Sequence, residues 1–150
     1  MAGYHQQPDA THEAFAGDWF HSGDLARIDE EGYLWLVDRK KDMIVSGGEN
    51  VYPAEIERVL LDHPAVADTA VIGVPHPRWV ETPVAFVVLS GQAEVSEADL
   101  IAHCRQHLAG FKKPSAVLML DELPRNAAGK VIKPRLREAY GGQASAVIDP

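Results

Sequence analysis

The stretch Ser46-Gly47-Gly48-Glu49-Asn50-Val51-Tyr52-Pro53-Ala54-Glu55-Ile56-Glu57-Arg58-Val59-Leu60 decides the fold. Ser46 to Asn50 reads as a glycine loop, and Pro53 falls where a first helical position tolerates a missing N–H. The helix that follows has Ile56, Val59 and Leu60 on one face at i, i+3, i+4 spacing, with Glu55, Glu57 and Arg58 turned outward. Asp62-His63-Pro64 ends it, because the residue before a proline avoids helical backbone. Towards the C-terminus, Ala65 to Val74 reads as an apolar strand broken by Pro75-His76-Pro77. The continuously apolar run Val84 to Leu89 reads as a strand buried on both faces. Ser96-Glu97-Ala98-Asp99 has the form of a capping box before a second helix, which carries Leu100, Ile101, Cys104 and Leu108 on one face and stops at Gly110. Ala116 to Leu120 is a further strand, Leu123 to Lys130 a turn-rich loop, and Lys133 to Tyr140 a short basic helix. Gly141 to Pro150 reads as a loose, flexible tail.

Towards the N-terminus, Met43-Ile44-Val45 is a short strand preceded by the charge run Asp38-Arg39-Lys40-Lys41-Asp42, which reads as a boundary. Before it, Asp29-Glu30-Glu31-Gly32 joins two strand-like runs as a hairpin ending in Tyr33 to Val37. Met1 to Phe15 is polar and aperiodic, and reads as a loop or a frayed end. The expected class is α+β: a small, mostly antiparallel sheet with flanking helices, preceded by a short β-hairpin.

Composition narrows the function. The chain has 150 residues, 46% of them hydrophobic, and a formal net charge of −8. A nucleic-acid partner needs clustered basic charge, so that class is set aside. One cysteine forms no internal disulfide, and no basic start followed by an apolar stretch is present, so the expected location is cytoplasmic. The longest apolar runs are far short of the roughly 20 residues that a membrane-spanning helix needs.

Several chemistries lack their residues. Gly129-Lys130 is followed by Val131, which excludes a phosphate loop ending in Gly-Lys-Ser or Gly-Lys-Thr. His103 and His107 share a helix face at metal-ligand spacing, yet no third ligand lies nearby, so two solvent-facing histidines and no metal site are expected. Cys104 lies on the apolar stripe and reads as a small buried thiol. Three features remain: Asp24 in the Ser22-Gly23-Asp24 turn, able to accept two hydrogen bonds from a diol; the charge run Arg39 to Asp42; and Lys130, presented by a Pro/Asn/Gly loop. Each alone is a weak signal: Asp24 reads first as an ordinary turn aspartate, the charge run as a solvated face and Lys130 as one more surface lysine.

Their order changes that reading. Gly17-Asp18-Trp19-Phe20-His21-Ser22-Gly23-Asp24, then Gly32 to Ile44, then Ser46 to Glu57, and finally Leu123-Pro124-Arg125-Asn126-Ala127-Ala128-Gly129-Lys130 together resemble the last third of the adenylate-forming enzymes. That superfamily includes acyl-CoA synthetases, adenylation domains of peptide synthetases and luciferases. The resemblance runs from about Gly3 to Tyr140. It implies that residues 1–38 are the tail of a large N-terminal domain, 39–140 the small mobile lid domain, and 141–150 a flexible tail.

The same resemblance implies roles. Asp24 is expected to hold the ribose hydroxyls of ATP, with Arg39 and Leu36 also at the nucleotide, and Lys41 to be the hinge. Lys130 is implied as the catalytic cation for adenylation, where negative charge crowds the α-phosphate. Gly47, Gly48 and Glu49 would line the pantetheine tunnel, and Trp79, Phe111 and Lys113 are candidates for the coenzyme A nucleotide, with simple packing an equal reading for the two aromatics. The pattern departs at Trp79-Val80-Glu81, where family members usually have Trp-Gly-Glu; Val80 removes a glycine suited to an unusual backbone angle, and Pro83 falls at what should be a strand's first residue. The phosphate loop and the acyl pocket of the family have no counterpart here.

Gly48 to Pro53 and Gly110-Phe111-Lys112-Lys113-Pro114 look most like carboxylate- and fatty-acyl-CoA ligases. The implied activity is carboxylate plus ATP to acyl-adenylate and pyrophosphate, then acyl-CoA and AMP. ATP, Mg2+ and coenzyme A would be substrates of the whole enzyme, none tightly bound to this chain, and the partner would be the N-terminal domain with its fatty or other carboxylic acid. By itself the chain is expected to be catalytically incomplete. Two alternatives stay open: the lid of an aminoacyl-adenylating domain, and a stand-alone non-catalytic module that binds a nucleotide or a partner or self-associates.

Overall fold

The computed structural model describes residues 1–17, 19–91 and 93–148, so Asp18 of the first motif and the last two positions of the expected tail lie outside the described residues. The chain forms two compact units, Met1–Lys41 and Asp42–Pro150.

The first unit holds α1 (Pro8–Ala14), β1 (Asp24–Ile28) and β2 (Leu34–Arg39). Helix α1 replaces the loop expected over Met1 to Phe15. It buries no residue, so hydrophobic periodicity could not announce it; Pro8 in its first turn and Thr11, whose hydroxyl donates to the Gln7 carbonyl at 2.8 Å, hold it locally. Strands β1 and β2 form the expected antiparallel hairpin, in register from Asp24↔Arg39 to Ile28↔Leu34. Its turn is fastened by Asp29, which accepts the indole N–H of Trp35 at 2.5 Å and the Tyr33 amide at 2.8 Å. These bonds, the indole foremost, hold the Asp29 carboxyl below the usual carboxylate range. A single 3₁₀ turn, Lys40–Asp42, carries the chain across the boundary between the units.

The second unit runs β3 (Ile44–Ser46), β4 (Glu49–Val51), α2 (Pro53–Leu61), β5 (Val66–His76), β6 (Val80–Leu89), α3 (Glu97–His107), β7 (Ala116–Met119) and α4 (Lys133–Ile148). Strand order is β4-β3-β6-β5, with β7 parallel to β6; every other pairing among the described residues is antiparallel, as the α+β reading expects. The glycine loop is tighter than expected. Gly47 and Gly48, at φ +61° and +87°, make a two-residue hairpin turn, which puts Glu49 and Asn50 on strand β4.

Strands β5 and β6 are buried on both faces. Val71, Ala85 and Val87 join Val117 of β7 against Ile56, Val59 and Leu60 of α2 and Leu100 and Cys104 of α3. Ala70, Ile72, Val74, Val84 and Phe86 pack with Ala116 and Leu136 of α4 on the other side. Each fully buried large aliphatic or aromatic side chain contributes about 1.5–3 kcal/mol. Burial also pushes the Cys104 thiol up to about 11, leaving it an inert core group.

Five expectations are corrected. His103 does not face solvent: it is half-buried, and its Nε2 lies 2.9 Å from the Val59 carbonyl of α2. The tail expected from Gly141 is helical to Ile148, since Tyr140 and Ile148 pack on the second cluster. Strand β5 is not broken at Pro75; it lies at the sheet edge, where a missing N–H costs no ladder bond on the open side. Strand β6 begins at Val80, not at Pro83, and Pro83 falls between the β3 bridge at Val80 and the β7 ladder that starts at Val84. Val80 keeps the left-handed backbone that a glycine would supply, at φ +71°.

Two expected outcomes follow. Left-handed backbone costs a residue with a Cβ about 1–2 kcal/mol, and a β-branched one no less. Val80 is 71% exposed, so Val80→Gly loses little burial. After allowing for glycine's larger unfolded-state entropy, a gain of about 1 kcal/mol and a Tm rise of about 2–4 °C are expected by calorimetry. The second concerns the cap of α3. Ser96 and Asp99 form the capping box, and the Ser96 hydroxyl and amide hold the Asp99 carboxyl low. A depressed folded-state pKa gives stability that is present above the unfolded value and lost as pH falls through the folded one. Asp99→Asn is therefore expected to melt below the wild type at pH 7, with the difference shrinking below about pH 4.

Candidate functional site

A cleft of about 310 Å³ opens in the second unit where the Gly47-Gly48 turn, the His76–Val80 turn and the segment after α3 meet. It is lined by Ser46, Gly47 and Glu49 from β3, the turn and β4, by Trp79 and Thr82 from the turn and β6, and by Gly110, Phe111, Lys113 and Ser115 from the α3–β7 segment. Five of the residues expected at the coenzyme A site thus surround one cavity, with Gly48 completing the adjoining turn. Gly47 donates its N–H to the Trp79 carbonyl at 2.9 Å, and a Cβ on Gly47 would lie 3.0 Å from the indole Cε3. Only a bare backbone fits against that ring.

Trp79 is set by its turn. The His76 ring nitrogen Nδ1 accepts the amides of Arg78 and Trp79 at 3.1 Å each, and the two rings stack with centroids 6.2 Å apart. The Arg78 guanidinium lies 4.6 Å from the indole centroid. Glu81 reaches the other way, its Oε2 accepting the Val45 amide at 3.1 Å, which ties β6 to β3 beside the strained Val80. At the cleft floor the hydroxyls of Thr82 and Ser115 are bonded to each other. The arrangement offers two part-exposed aromatic rings, a hydroxyl-lined floor and an ammonium, which suits a narrow polar arm with a flat, phosphorylated end.

Charge pairing singles out two of the four lysines of this unit. Lys112 is bonded to both carboxylate oxygens of Glu55, at 2.9 and 2.8 Å, and Lys133 pairs with Glu57 at 2.8 Å. Lys113 and Lys130 have no carboxylate partner among the described residues.

Lys130 does not line the cleft. It is exposed at the end of a loop closed by the Arg125↔Val131 bridge. Asn126 organises this loop: its Oδ1 accepts the amides of Ala128 at 3.0 Å and Lys130 at 2.9 Å, and its N–H donates to the Lys130 carbonyl at 2.9 Å. Asp24, Leu36, Arg39 and Lys41 belong to the first unit. There Asp24 and Arg39 pair at 2.8 Å at the open end of the hairpin, Leu36 is 77% exposed on β2, and Lys41 is the unit's last residue.

Ser46, Thr82, Gly110 and Ser115 were missed as cleft residues. The hydroxyl pair joins positions 33 apart, a proximity that only the β6–β7 pairing creates. Gly110 gave a signal that pointed elsewhere, to the end of a helix.

The sequence profile of the AMP-binding enzyme C-terminal domain matches residues 55–130, half of the chain. The 2-succinylbenzoate–CoA ligase of Bacillus mycoides is 49% identical over 136 residues, covering 91% of this chain. The long-chain-fatty-acid–CoA ligase FadD13 of Mycobacterium tuberculosis is 50% identical over 137 residues, again 91% of the chain. Among solved structures, o-succinylbenzoate CoA synthetase from Bacillus subtilis, in complex with its acyl-adenylate intermediate, superposes with a TM-score of 0.86 at 42% identity over 93% of the chain. The chain spans only about 28% of the length of the ligase from Bacillus mycoides and of the solved structure, and 27% of FadD13.

Gly47→Ala tests the packing of the cleft. The added methyl meets the indole and the φ of +61° disfavours a side chain, so a loss of about 1–2 kcal/mol is expected in chemical denaturation. Displacement of Trp79 is expected to red-shift the tryptophan emission of the folded protein.

Proposed function

From its membership of the AMP-binding enzyme C-terminal domain family, to which this chain belongs, we propose that it is the lid of an ATP-dependent acid–CoA ligase. One observation carries the reading. The cleft lies at the turn end of the β5–β6 hairpin, where His76 pairs with Val80, and the Lys130 loop is tied to Asp68 near its other end. Asp68 and His76 are eight positions apart on β5, roughly 25 Å. A single reacting centre cannot touch both at once, which suits a reaction in two steps served by two faces of one rigid body.

In the first step a carboxylate oxygen of the acid attacks the α-phosphorus of ATP and the bond to pyrophosphate breaks. Lys130 supplies the ammonium that offsets the charge accumulating between the two anions. In the second step the thiol of coenzyme A, losing its proton, attacks the acyl carbonyl and AMP leaves. The Gly47-Gly48-Glu49 turn flanks the pantetheine arm, Trp79 and Phe111 give its nucleotide flat surfaces, and Lys113 meets a phosphate. Residues 1–38 serve as the end of the large N-terminal domain, with Asp24, Arg39 and Leu36 at the nucleotide and Lys41 as the hinge between the two presentations. Magnesium arrives with ATP as part of that substrate, and the acid is chosen by the large domain. No helix among the described residues is long and apolar enough to cross a membrane; the cytoplasm is the location this reading proposes, because the reaction draws on ATP and coenzyme A.

The test is a pair of opposed variants in a chimaera, with this chain in place of the corresponding C-terminal part of the Bacillus mycoides 2-succinylbenzoate–CoA ligase. Lys130→Ala is expected to slow adenylate formation by about 10²–10³-fold and to leave thioester formation from preformed adenylate intact. Lys113→Ala is expected to raise the KM for coenzyme A and to spare adenylation. Equal loss of both half-reactions in either variant would remove its residue from the assigned step.

A further inference from the structure

We propose that Asp68 and Arg125 are positioning residues for Lys130, acting through the Gly129 carbonyl. The proposal rests on the reading of Lys130 as the adenylation cation. Within the loop Arg125 to Val131 the backbone of Lys130 is already committed: its N–H and its carbonyl both bond to Asn126. Those bonds fix the shape of the loop, but none of them fixes where the loop stands relative to the sheet. Arg125 supplies that second constraint. Its Nη1 donates to the Gly129 carbonyl, immediately before Lys130, and its Nη2 donates to Oδ2 of Asp68 on β5.

The anchor on the sheet is itself held. Asp68 lies at the register shift of the β5–β6 ladder, where a bulge re-aims a side chain. Its other oxygen accepts the Thr69 amide at 3.0 Å, and the Thr69 hydroxyl, buried, donates to the Phe86 carbonyl of β6 at 2.9 Å. A chain of bonds thus runs from the buried ladder through Asp68 and the guanidinium to the residue preceding Lys130. Arginine is the side chain for the task, because a rigid fork can serve a carboxylate and a carbonyl in one geometry, which the point charge of a lysine does not. Gly129, at φ +77°, supplies the backbone turn that brings its carbonyl to the fork. Both partners are exposed enough for the pair to add little to global stability, so its consequence is local order.

The experiment compares Arg125→Ala, Arg125→Lys and Asp68→Asn by amide hydrogen exchange in this chain. The amides of Ala128 and Lys130 are expected to exchange about 10-fold faster in Arg125→Ala and Asp68→Asn, with those of Phe86 and Val87 unchanged and Arg125→Lys intermediate. Unchanged exchange in the loop overturns the proposal, and equal acceleration in β6 would mean general destabilisation and overturns it too. In the 2-succinylbenzoate chimaera, Arg125→Ala is expected to lower the kcat of adenylation about 10-fold, with the KM for ATP within about twofold and thioester formation from preformed adenylate unaffected. Wild-type adenylation in Arg125→Ala overturns the positioning role. If Lys130→Ala itself adenylates normally, the reading of Lys130 fails instead, and loop exchange still decides whether the clasp exists.

Discussion

Antiparallel pairing of β5 with β6, continuous from Val66↔Leu89 to His76↔Val80 apart from one bulge, is the constraint on which the second unit depends. Both faces of the ladder are buried, so successive residues feed two different cores: Val71 and Ala85 pack beneath α2 and α3, while Ile72 and Phe86 pack beneath α4. A slip of one residue would exchange the two sets and leave neither core filled. This fixed register makes the ends of the ladder dependable places for chemistry. The bulge at one end presents Asp68 to the Lys130 loop, and the turn at the other presents Trp79 to the cleft.

Each end is held by polar bonds that the apolar core cannot supply. At the turn, His76 accepts two amides, Glu81 ties β6 to β3, and Gly47 bonds the Trp79 carbonyl, which together keep Val80 in a conformation it would not choose. At the bulge the guanidinium of Arg125 spans the loop and the strand. Pairing of Lys112 with Glu55 and of Lys133 with Glu57 also quiets the neighbouring cations. In the second unit, the lysines without a carboxylate partner among the described residues, Lys113 and Lys130, stand at the two places where the proposed function brings anionic substrate groups.

Much of this was legible in the sequence because the physics is local. The i, i+3, i+4 face of α2, the capping box of α3 and the unbroken apolar run of β6 each follow from neighbouring residues; α2 and α3 formed where their patterns stand, while β6 contains its run and starts four residues before it. Helix α1 was not legible because it buries nothing, and the extension of α4 past two glycines depends on a surface that β5 and β6 supply. The motif order pointed to the cleft's aromatic and glycine residues, yet the Thr82–Ser115 pair and the Asp68–Arg125 clasp join residues 33 and 57 positions apart. Such pairs carry no signature in a single sequence; the register of the sheet creates them. Val80 is the instructive case, since the residue type argued against the left-handed backbone and the surrounding bonds impose it nonetheless.

On the proposed two-step function, a domain that presents two faces in turn has to separate motion from precision. If the loops themselves were loose, each step would begin with a search for the right loop conformation, and the entropy of that search would fall on the transition state. With the hinge proposed at Lys41, confining movement to the short polar segment Lys40–Asp42, which buries no residue, would leave both ends of the ladder preorganised. Strain at Val80 and the double use of Arg125 are intelligible on these terms. Neither improves the core, and on the proposed function each fixes a group whose position decides whether a substrate anion is met at the right distance.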